Sequence, residues 1–350
     1  MSHATFHDLR VGHIERLTDD SVSVTFEVPD ELVADYAFTQ GQHLAVRWGA
    51  DDARRNYSIC SPVGGPLRIG VKRIPDGTFS AYALERMKVG DTLEVMTPAG
   101  RFTTALNPAH DKHYALIAAG SGITPIISIV ATILATEPES RVTLLYGNRT
   151  TRTVMFLEEL EDLKNRYPER FQLMHFLSRE QQEVELFNGR LDDDRIKRVL
   201  EVLLPADTVD EWFLCGPYEL VTGGREVLVE AGVDPNHIHL ELFHAEAIKR
   251  RREEAGAAVG AKVTATLDGR ESVLDVAADE PILDAMLKVR ADAPYACKGG
   301  VCGTCRARVL AGSVEMASNF ALEPDELERG YVLTCQSYPT TDEVVVDYDG

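Results

Sequence analysis

Residues 1–106 contain short runs that mix apolar and polar positions, separated by turn signals such as Gly64-Gly65 and Pro98-Ala99-Gly100. The clearest runs are Val22–Val28, His43–Trp48, Leu67–Arg73 and Thr92–Met96. Short strands at regular spacing are typical of a small antiparallel barrel. We therefore predict a β-barrel domain over residues 1–106, interrupted by one helix from about Ser80 to Met87.

A different pattern begins near residue 113, where nearly continuous apolar runs alternate with helical stretches. Ala115–Ala118 and Val142–Tyr146 have the composition of strands buried on both faces. Phe171–Phe176 and Glu211–Cys215 resemble further strands. The helical stretches between and after these strands are Ile126–Ala135, Met155–Arg166, Asp192–Val202 and Leu220–Ala231. Alternating β and α elements predict a doubly wound, open α/β sheet over residues 107–243.

Residues 244–260 break this pattern, because they are first charged and then small, with no apolar face. We interpret them as a linker that lets a third domain, residues 261–350, move between electron donor and acceptor. In that domain a hairpin is predicted around Asp268-Gly269. Its other predicted elements are the helix Pro281–Val289 and the strands Arg306–Val309 and Val344–Asp347.

The charge of the chain restricts its partners. Its 36 Lys and Arg against 56 Asp and Glu give a formal net charge of -20, which disfavours nucleic acid and anionic lipid. The uncharged segment Tyr114–Thr136 is long enough to span a bilayer, but it contains a glycine turn, so we predict a buried strand, turn and helix. No apolar signal region is visible near the start, and we expect a cytoplasmic protein with no membrane contact.

Four of the six cysteines lie near the C-terminus. They are Cys297, Cys302, Cys305 and Cys335, with four, two and 29 intervening residues. This is the plant-type spacing for a [2Fe–2S] cluster, in which four thiolates hold two irons. Gly299, Gly300 and Gly303 give the loop the left-handed freedom that tight wrapping requires. A structural zinc site is the alternative, although zinc motifs usually pair two short cysteine hooks and only one is present.

Two segments of the barrel carry polar and aromatic groups suited to a phosphate-containing cofactor. Arg55-Asn56-Tyr57-Ser58 offers a guanidinium, an aromatic ring and a hydroxyl. Gly77-Thr78-Phe79-Ser80 begins a helix, whose free N–H groups bind pyrophosphate. A plain strand with a structural tyrosine is the alternative for the first segment.

The α/β half has three candidate segments at strand ends, where such sheets bind ligands. The first strand is followed by Gly120-Ser121-Gly122-Ile123-Thr124-Pro125, and a later one ends in Cys215-Gly216-Pro217. Asn148-Arg149 and Ser178-Arg179 follow two further strands. An arginine and a serine suit a 2′-phosphate, which favours NADPH, while NADH stays an alternative. Cys215 could also be an inert buried thiol.

These motifs resemble two known families. Residues 1–243 resemble the ferredoxin–NADP reductase superfamily, and the last ninety residues resemble plant-type ferredoxins, except that Gly303 stands where those generally have serine. The resemblance implies FAD in the barrel, NADPH or NADH in the α/β domain and a β-grasp α+β fold for residues 261–350.

The resemblance also implies roles for particular residues. Ser58, Thr124 and Cys215 would lie at the site of hydride transfer. The residues expected to bind FAD are Arg55, Tyr57, Ser58, Val71, Lys72, Gly77, Phe79, Ser80 and Phe243. Those expected to bind the nicotinamide cofactor are Gly120, Gly122, Thr124, Asn148, Arg149, Ser178, Arg179, Cys215, Gly216 and Pro217. A core phenylalanine is the alternative for Phe243.

Longer stretches, including RNYSIC, TLEVMTPAGRF, PYACKGGVCGTC and LEPDELERGYVLTCQ, resemble the reductase components of bacterial ring 1,2-phenylacetyl-CoA epoxidases. That resemblance implies that electrons pass to a multisubunit di-iron oxygenase in phenylacetate catabolism. The alternatives are a reductase for a steroid or aromatic-ring hydroxylase or for a hybrid-cluster protein, and a redox-sensing adaptor without turnover.

Overall fold

The structure, a computed structural model, describes residues 5–48, 54–75, 77–243, 260–295, 297–322 and 324–350. Apart from Gly260, the predicted linker lies outside the described residues. The described chain divides into two compact units, one formed by Thr5–Phe243 and the other by the residues from 260 onward.

The first part of the larger unit is an antiparallel six-stranded barrel. Its strands are β1 (Phe6–Thr18), β2 (Ser21–Glu27), β3 (His43–Arg47), β4 (Arg54–Ser58), β5 (Arg68–Lys72) and β6 (Thr92–Met96), with helix α1 (Thr78–Glu85) between β5 and β6. The strand order is β4-β3-β6-β1-β2-β5. A bridge between Ile59 and Ile69 joins the two edge strands and closes the barrel. The predicted barrel is confirmed.

The second part of this unit is a parallel five-stranded sheet with helices between its strands. Its elements are β7 (His113–Ala119), α2 (Ile123–Thr136), β8 (Arg141–Asn148), α3 (Leu157–Arg166), β9 (Phe171–Leu177), α4 (Asp193–Val202), β10 (Glu211–Gly216), α5 (Tyr218–Glu230) and β11 (Ile238–Leu242). The strand order β11-β10-β7-β8-β9 changes direction at β7, as a doubly wound sheet requires. The predicted α/β class is confirmed.

Helix α2 begins at Ile123, three residues before the predicted start, because Pro125 is tolerated within a first helical turn. Strand β11 was not predicted, since its sequence IHLEL is short and half polar. No helix of the described residues is long and apolar enough to cross a membrane.

The smaller unit combines a mixed sheet with a packed helix. Its elements are β12 (Ala261–Leu267), β13 (Arg270–Val276), α6 (Ile282–Val289), β14 (Arg306–Ala311), β15 (Val314–Met316), α7 (Pro324–Glu328), β16 (Tyr331–Leu333), β17 (Ser337–Pro339) and β18 (Glu343–Asp347). The main sheet has the order β13-β12-β18-β14-β16, and β12 runs parallel to β18. Helix α6 buries Ile282, Leu283 and Met286 in the core of this unit. The predicted α+β, β-grasp class is confirmed.

Candidate functional site

Three polar side chains from the barrel and the α/β sheet meet at one carboxylate. Ser58, at the end of β4, is buried, and its Oγ donates a hydrogen bond to Oε2 of Glu241 over 3.1 Å. The Sγ of Cys215, near the end of β10, lies 4.0 Å from the same oxygen. The structure therefore brings together the two candidates Ser58 and Cys215, and adds Glu241 between them.

The environment of Cys215 keeps its thiol protonated. The side chain is fully buried, and loss of hydration raises its pKa well above the ordinary value for a thiol. The charge of Glu241 acts in the same direction. Cys215 is therefore a neutral packing and hydrogen-bonding group at this site, and a thiolate nucleophile is disfavoured.

Glu241 is the site residue that the sequence analysis missed. It lies in the unpredicted strand β11, which pairs in parallel with β10 so that Glu241 stands opposite Cys215. One signal was available: an acidic residue flanked by Leu240 and Leu242 at the carboxyl end of a strand. Its significance depended on recognising β11 as part of the sheet.

Glycines allow the turn after β7 to pack closely against the end of β10. A Cβ added to Gly122 would lie 2.1 Å from the carbonyl oxygen of Cys215, so no larger residue fits there. Gly120 has a φ of 55°, a left-handed conformation that favours glycine. Thr124 is buried, and its Oγ1 donates to the Ser121 carbonyl over 3.1 Å. The candidate segments at 120–124 and 215–217 thus adjoin one another.

The barrel candidates have different surroundings. Tyr57 packs its ring against Phe79, with centroids 5.2 Å apart, while Arg55 is exposed and donates to the Arg54 carbonyl. Val71 lies in the barrel core, so only its backbone is available to a ligand. Lys72 contacts Asp20 at 3.3 Å. Phe243, one residue after β11, packs partly buried against the core that contains Cys215.

The start of helix α1 has the features that a diphosphate requires. Gly77 precedes the helix, and no described side chain caps the N–H groups of its first turn. The Ser80 hydroxyl donates to the Gly77 carbonyl over 3.0 Å and accepts from the backbone N–H of Ile74 over 3.3 Å. Ser80 therefore shapes the turn, and the open N–H groups fit an anionic group.

Asn148-Arg149 and Ser178-Arg179 lie side by side at the carboxyl edge of the sheet. The backbone N–H of Ser178 donates to the Asn148 carbonyl, and that of Arg179 donates to the Arg149 carbonyl. Among the described residues, the buried amide nitrogen of Asn148 has no hydrogen-bond partner. Because such an orphan is costly, this edge fits a polar ligand. The carboxylate of Glu180, which the sequence analysis did not single out, accepts from Thr151 at 2.8 and 2.7 Å.

The four C-terminal cysteines form two pairs. A hydrogen bond with Cys302 raises the pKa of Cys297 well above its ordinary value. Another joins Cys305 to Cys335, raising the pKa of Cys305 and lowering that of Cys335. Within the described residues, no three His, Cys, Asp or Glu side chains are arranged to hold a single metal ion. Two thiol pairs fit a cluster of two irons better than one zinc ion.

The backbone of the cysteine loop corrects one expectation. Gly300 and Gly303 adopt positive φ values of 75° and 68°, as predicted. Gly299 does not, and the preceding Lys298 adopts a φ of 52° in its place. The Gly299 N–H instead donates to Sγ of Cys297 over 3.3 Å. The hydroxyl of Thr304, within the same loop, is buried without a partner among the described residues.

Three family models match the chain in succession. The "Oxidoreductase FAD-binding domain" matches residues 8–104 and the "Oxidoreductase NAD-binding domain" matches residues 116–226. The "2Fe-2S iron-sulfur cluster binding domain" matches residues 265–340. Each match covers the part of the chain in which the corresponding site features were found.

A curated relative covers the chain from end to end. The reductase subunit of the Escherichia coli 1,2-phenylacetyl-CoA epoxidase is 45% identical over 349 residues, which are 99% of this chain and 98% of the relative. The chain belongs to the phenylacetyl-CoA epoxidase reductase family. Other oxygenase reductases are also similar to it: the 3-ketosteroid-9-alpha-monooxygenase ferredoxin reductase component of Rhodococcus rhodochrous is 34% identical, covering 97% of this chain and 96% of its own.

Solved structures agree with the fold of this reductase family. Phthalate dioxygenase reductase superposes with a TM-score of 0.59 and 22% identity, over 98% of both chains. An intact self-sufficient cytochrome P450 monooxygenase superposes with a TM-score of 0.73 and 23% identity, over 97% of this chain and 41% of the other. Together with its family, the chain is thus an NAD(P)H-dependent FAD and [2Fe–2S] oxidoreductase that supplies electrons to an oxygenase.

Proposed function

We propose that the chain takes hydride from NADPH and delivers single electrons to a di-iron oxygenase that epoxidises the ring of phenylacetyl-CoA. The observation that carries this proposal is the 45% identity with a 1,2-phenylacetyl-CoA epoxidase reductase along 99% of the chain. The substrate itself need never contact this chain, so no pocket for it is required here.

FAD, when bound, supplies the conversion of a two-electron hydride into the single electrons that a [2Fe–2S] cluster carries. The barrel would hold it through the open N–H groups that follow Gly77 and through the Arg55 guanidinium, both suited to the diphosphate. The Tyr57 ring would stack on the isoalloxazine. A diphosphate requires FAD and not FMN, because only FAD contains one.

Ser58, Cys215 and Glu241 would then manage the proton at the hydride-transfer site. Ser58 donates its only hydroxyl hydrogen to Glu241, so its oxygen presents lone pairs to any other neighbour. The Glu241 carboxylate can take that hydrogen as a proton and return it. Cys215, held neutral by burial, adds bulk beside the nicotinamide without adding charge.

The preference for NADPH rests on the charges at the carboxyl edge of the sheet. Arg149 and Arg179 are joined through their backbones there and carry cations that suit a 2′-phosphate. The Glu180 carboxylate, the acid nearest this segment in sequence, is already bound by two donors of Thr151. NADH is the alternative, and the ratio of kcat/KM for the two cofactors decides between them.

The ligands proposed for the cluster are the thiolates of Cys297, Cys302, Cys305 and Cys335. The domain bounds 1–106, 107–243 and 261–350, the linker 244–260 and a cytoplasmic location stay predictions. Iron and sulfide analysis of the purified protein tests the ligand set directly, because zinc alone would exclude it.

Reconstitution tests the acceptor. The purified chain, NADPH and phenylacetyl-CoA are mixed with the oxygenase subunits of a phenylacetyl-CoA epoxidase, and epoxide is measured. A steroid or aromatic-ring hydroxylase is the second candidate acceptor, because a 3-ketosteroid-9-alpha-monooxygenase reductase is 34% identical over nearly its whole length. Turnover with such a hydroxylase and none with the epoxidase would overturn the first proposal. Absence of any NAD(P)H-dependent reduction of ferricyanide would favour a redox-sensing adaptor.

A further inference from the structure

Strand β5 of the barrel presents one of its faces to the α/β domain. Ile69 and Val71 are fully buried in the barrel core. Since side chains alternate across a strand, Arg68, Gly70 and Lys72 share the opposite face. All three contact the α/β domain.

The two ends of this face are attached by polar contacts. Arg68 donates from Nη1 and Nη2 to the two carboxylate oxygens of Glu159, over 2.9 and 2.6 Å. Lys72 Nζ lies 3.5 Å from the carbonyl oxygen of Thr153. A bidentate arginine–carboxylate pair fixes orientation as well as distance, so the first contact sets the angle of the strand against α3.

The middle of the face has no side chain. A Cβ added to Gly70 would lie 2.6 Å from Cγ2 of Thr124, 3.2 Å from Cζ of Phe156 and 3.4 Å from Cε of Met155. The first separation is far shorter than carbon atoms adopt without a bond. The α/β domain therefore approaches the barrel as closely as it does because residue 70 is glycine.

The wall opposite Gly70 is held rigidly. Phe156 is buried with a φ of 57° and a ψ of 30°, a left-handed conformation that is costly for a bulky residue. The Arg68 guanidinium lies 5.3 Å from its ring centroid. A strained residue persists only where its surroundings determine its position, so Phe156 cannot simply retreat from a side chain at position 70.

We propose that Gly70 is a positioning residue for hydride transfer: it sets how closely the α/β domain, and with it Thr124, approaches the barrel. The inference rests on the proposed function in one respect, since it takes Thr124 to adjoin the nicotinamide. Gly70 itself need not touch either cofactor.

The test compares Gly70→Ala with the unmodified full-length holoprotein. FAD reduction by saturating NADPH is followed anaerobically in a stopped-flow instrument, with NADPH and with NADPH deuterated at C4. We expect FAD content to be retained and the reduction rate constant to fall about tenfold or more, because a displacement of about 1 Å is enough to disrupt a reactive geometry. KM should change less than kcat, since the contacts with the rest of the nucleotide remain.

A second substitution separates this role from a general loss of packing. Thr124→Ser removes Cγ2, the atom that the new Cβ would meet first, and keeps the hydroxyl that donates to Ser121. In the Thr124→Ser background we expect Gly70→Ala to slow reduction by less than about threefold, because the two changes are coupled through one contact. An equal loss in both backgrounds, or no loss in either, would overturn the proposal.

Arg68→Lys provides a test if Gly70→Ala fails to retain FAD. It removes the bidentate contact with Glu159 and leaves the middle of the face unchanged. The matched control is Arg47→Lys, whose partner Glu94 lies 3.1 Å away within the barrel. Slower FAD reduction in Arg68→Lys alone supports the proposal, and equal rates in both variants contradict it. A wild-type protein that neither NADPH nor NADH reduces would instead overturn the proposed function.

Discussion

At the scale of single residues, the site depends on groups that bind each other before any cofactor arrives. Ser58 belongs to the barrel and Cys215 to the α/β sheet, yet both contact one oxygen of Glu241. A hydrogen bond to a carboxylate is stronger than one between neutral groups. Glu241 thus holds the two halves of the site in register and supplies a proton acceptor there.

Replacing Glu241 with glutamine should slow FAD reduction by about tenfold or more, because the variant keeps the shape and loses the proton acceptor. The measurement is the rate constant at saturating NADPH from about pH 6 to about pH 9, a range centred near neutrality. The control is Glu230→Gln, which alters an exposed pair with Lys197 on the α/β domain. Equal rates in all three proteins across that range would contradict the role assigned to Glu241.

A second residue-scale prediction concerns Gln336 in the cysteine unit. Its Nε2 donates to the carbonyls of Lys298 and Cys335, each at 3.0 Å, and lies 3.8 Å from Sγ of Cys335. It therefore ties the strained peptide of Lys298 to the segment with the fourth cysteine. Gln336→Leu should destabilise the unit by about 1–3 kcal/mol, because buried acceptors lose their donor.

The measurement for Gln336→Leu is the rate at which visible cluster absorbance is lost in the presence of a chelator. Gln336→Asn is the informative companion, since it keeps the amide on a shorter side chain and should give an intermediate rate. Retention as long as in the unsubstituted protein would show that the bridge is dispensable.

At the scale of elements, the sheet edges do different work. The carboxyl ends of β7, β8, β9 and β10 carry the candidate binding groups, while the opposite edge carries a structural network. There Glu211, at the start of β10, contacts Lys112 and His239 at 2.9 Å each. Burial raises the pKa of Glu211, but these partners outweigh it and lower that pKa to about 2. The network joins β10 to β11 and to the residue preceding β7.

This shift predicts a pH dependence of stability. Because the folded-state pKa of Glu211 lies below its unfolded value of 4.5, its contribution is fully present above pH 4.5 and is lost as pH falls toward about 2. The contribution is on the order of 3 kcal/mol. Urea unfolding from about pH 7 to about pH 3 should show a smaller loss of stability for Glu211→Gln than for the unsubstituted protein. Parallel curves would contradict the prediction.

Most elements could be predicted because their patterns are local. The barrel strands are marked by turns, the parallel strands by apolar runs and the cysteine loop by spacing alone. Glu241 was missed because β11 becomes a strand through its pairing with β10, which no local pattern shows. Likewise, the positive φ at Lys298 in place of Gly299 depends on the Gln336 bridge. The contacts of Gly70 depend on packing between the barrel and the α/β sheet, and no sequence motif marks them.

At the scale of the whole molecule, three cofactor-binding domains in one chain place the electron-transfer steps in sequence. The family models and the end-to-end relative agree on the order FAD, NAD and [2Fe–2S]. Nicotinamide delivers electrons in pairs, and a [2Fe–2S] cluster accepts them singly, so a flavin is required between them. Covalent linkage of the ferredoxin to the reductase raises its effective concentration at the flavin.

That arrangement makes the predicted linker a point of control. Removing about half of residues 244–260 should leave FAD reduction by NADPH unchanged, because both partners of that step lie before the linker. Transfer to the oxygenase should fall, since a shorter tether limits the positions that the ferredoxin can reach. The two rates are measured separately, by stopped-flow absorbance and by oxygenase turnover. Full turnover with the shortened linker would show that no such movement is needed.

The most direct test of the electron relay is an anaerobic titration of the purified holoprotein with NADPH, followed by visible absorbance and by electron paramagnetic resonance. We predict bleaching of the flavin together with the signal of a reduced [2Fe–2S] cluster. A colourless protein, or one that contains zinc in place of iron and sulfide, would contradict it.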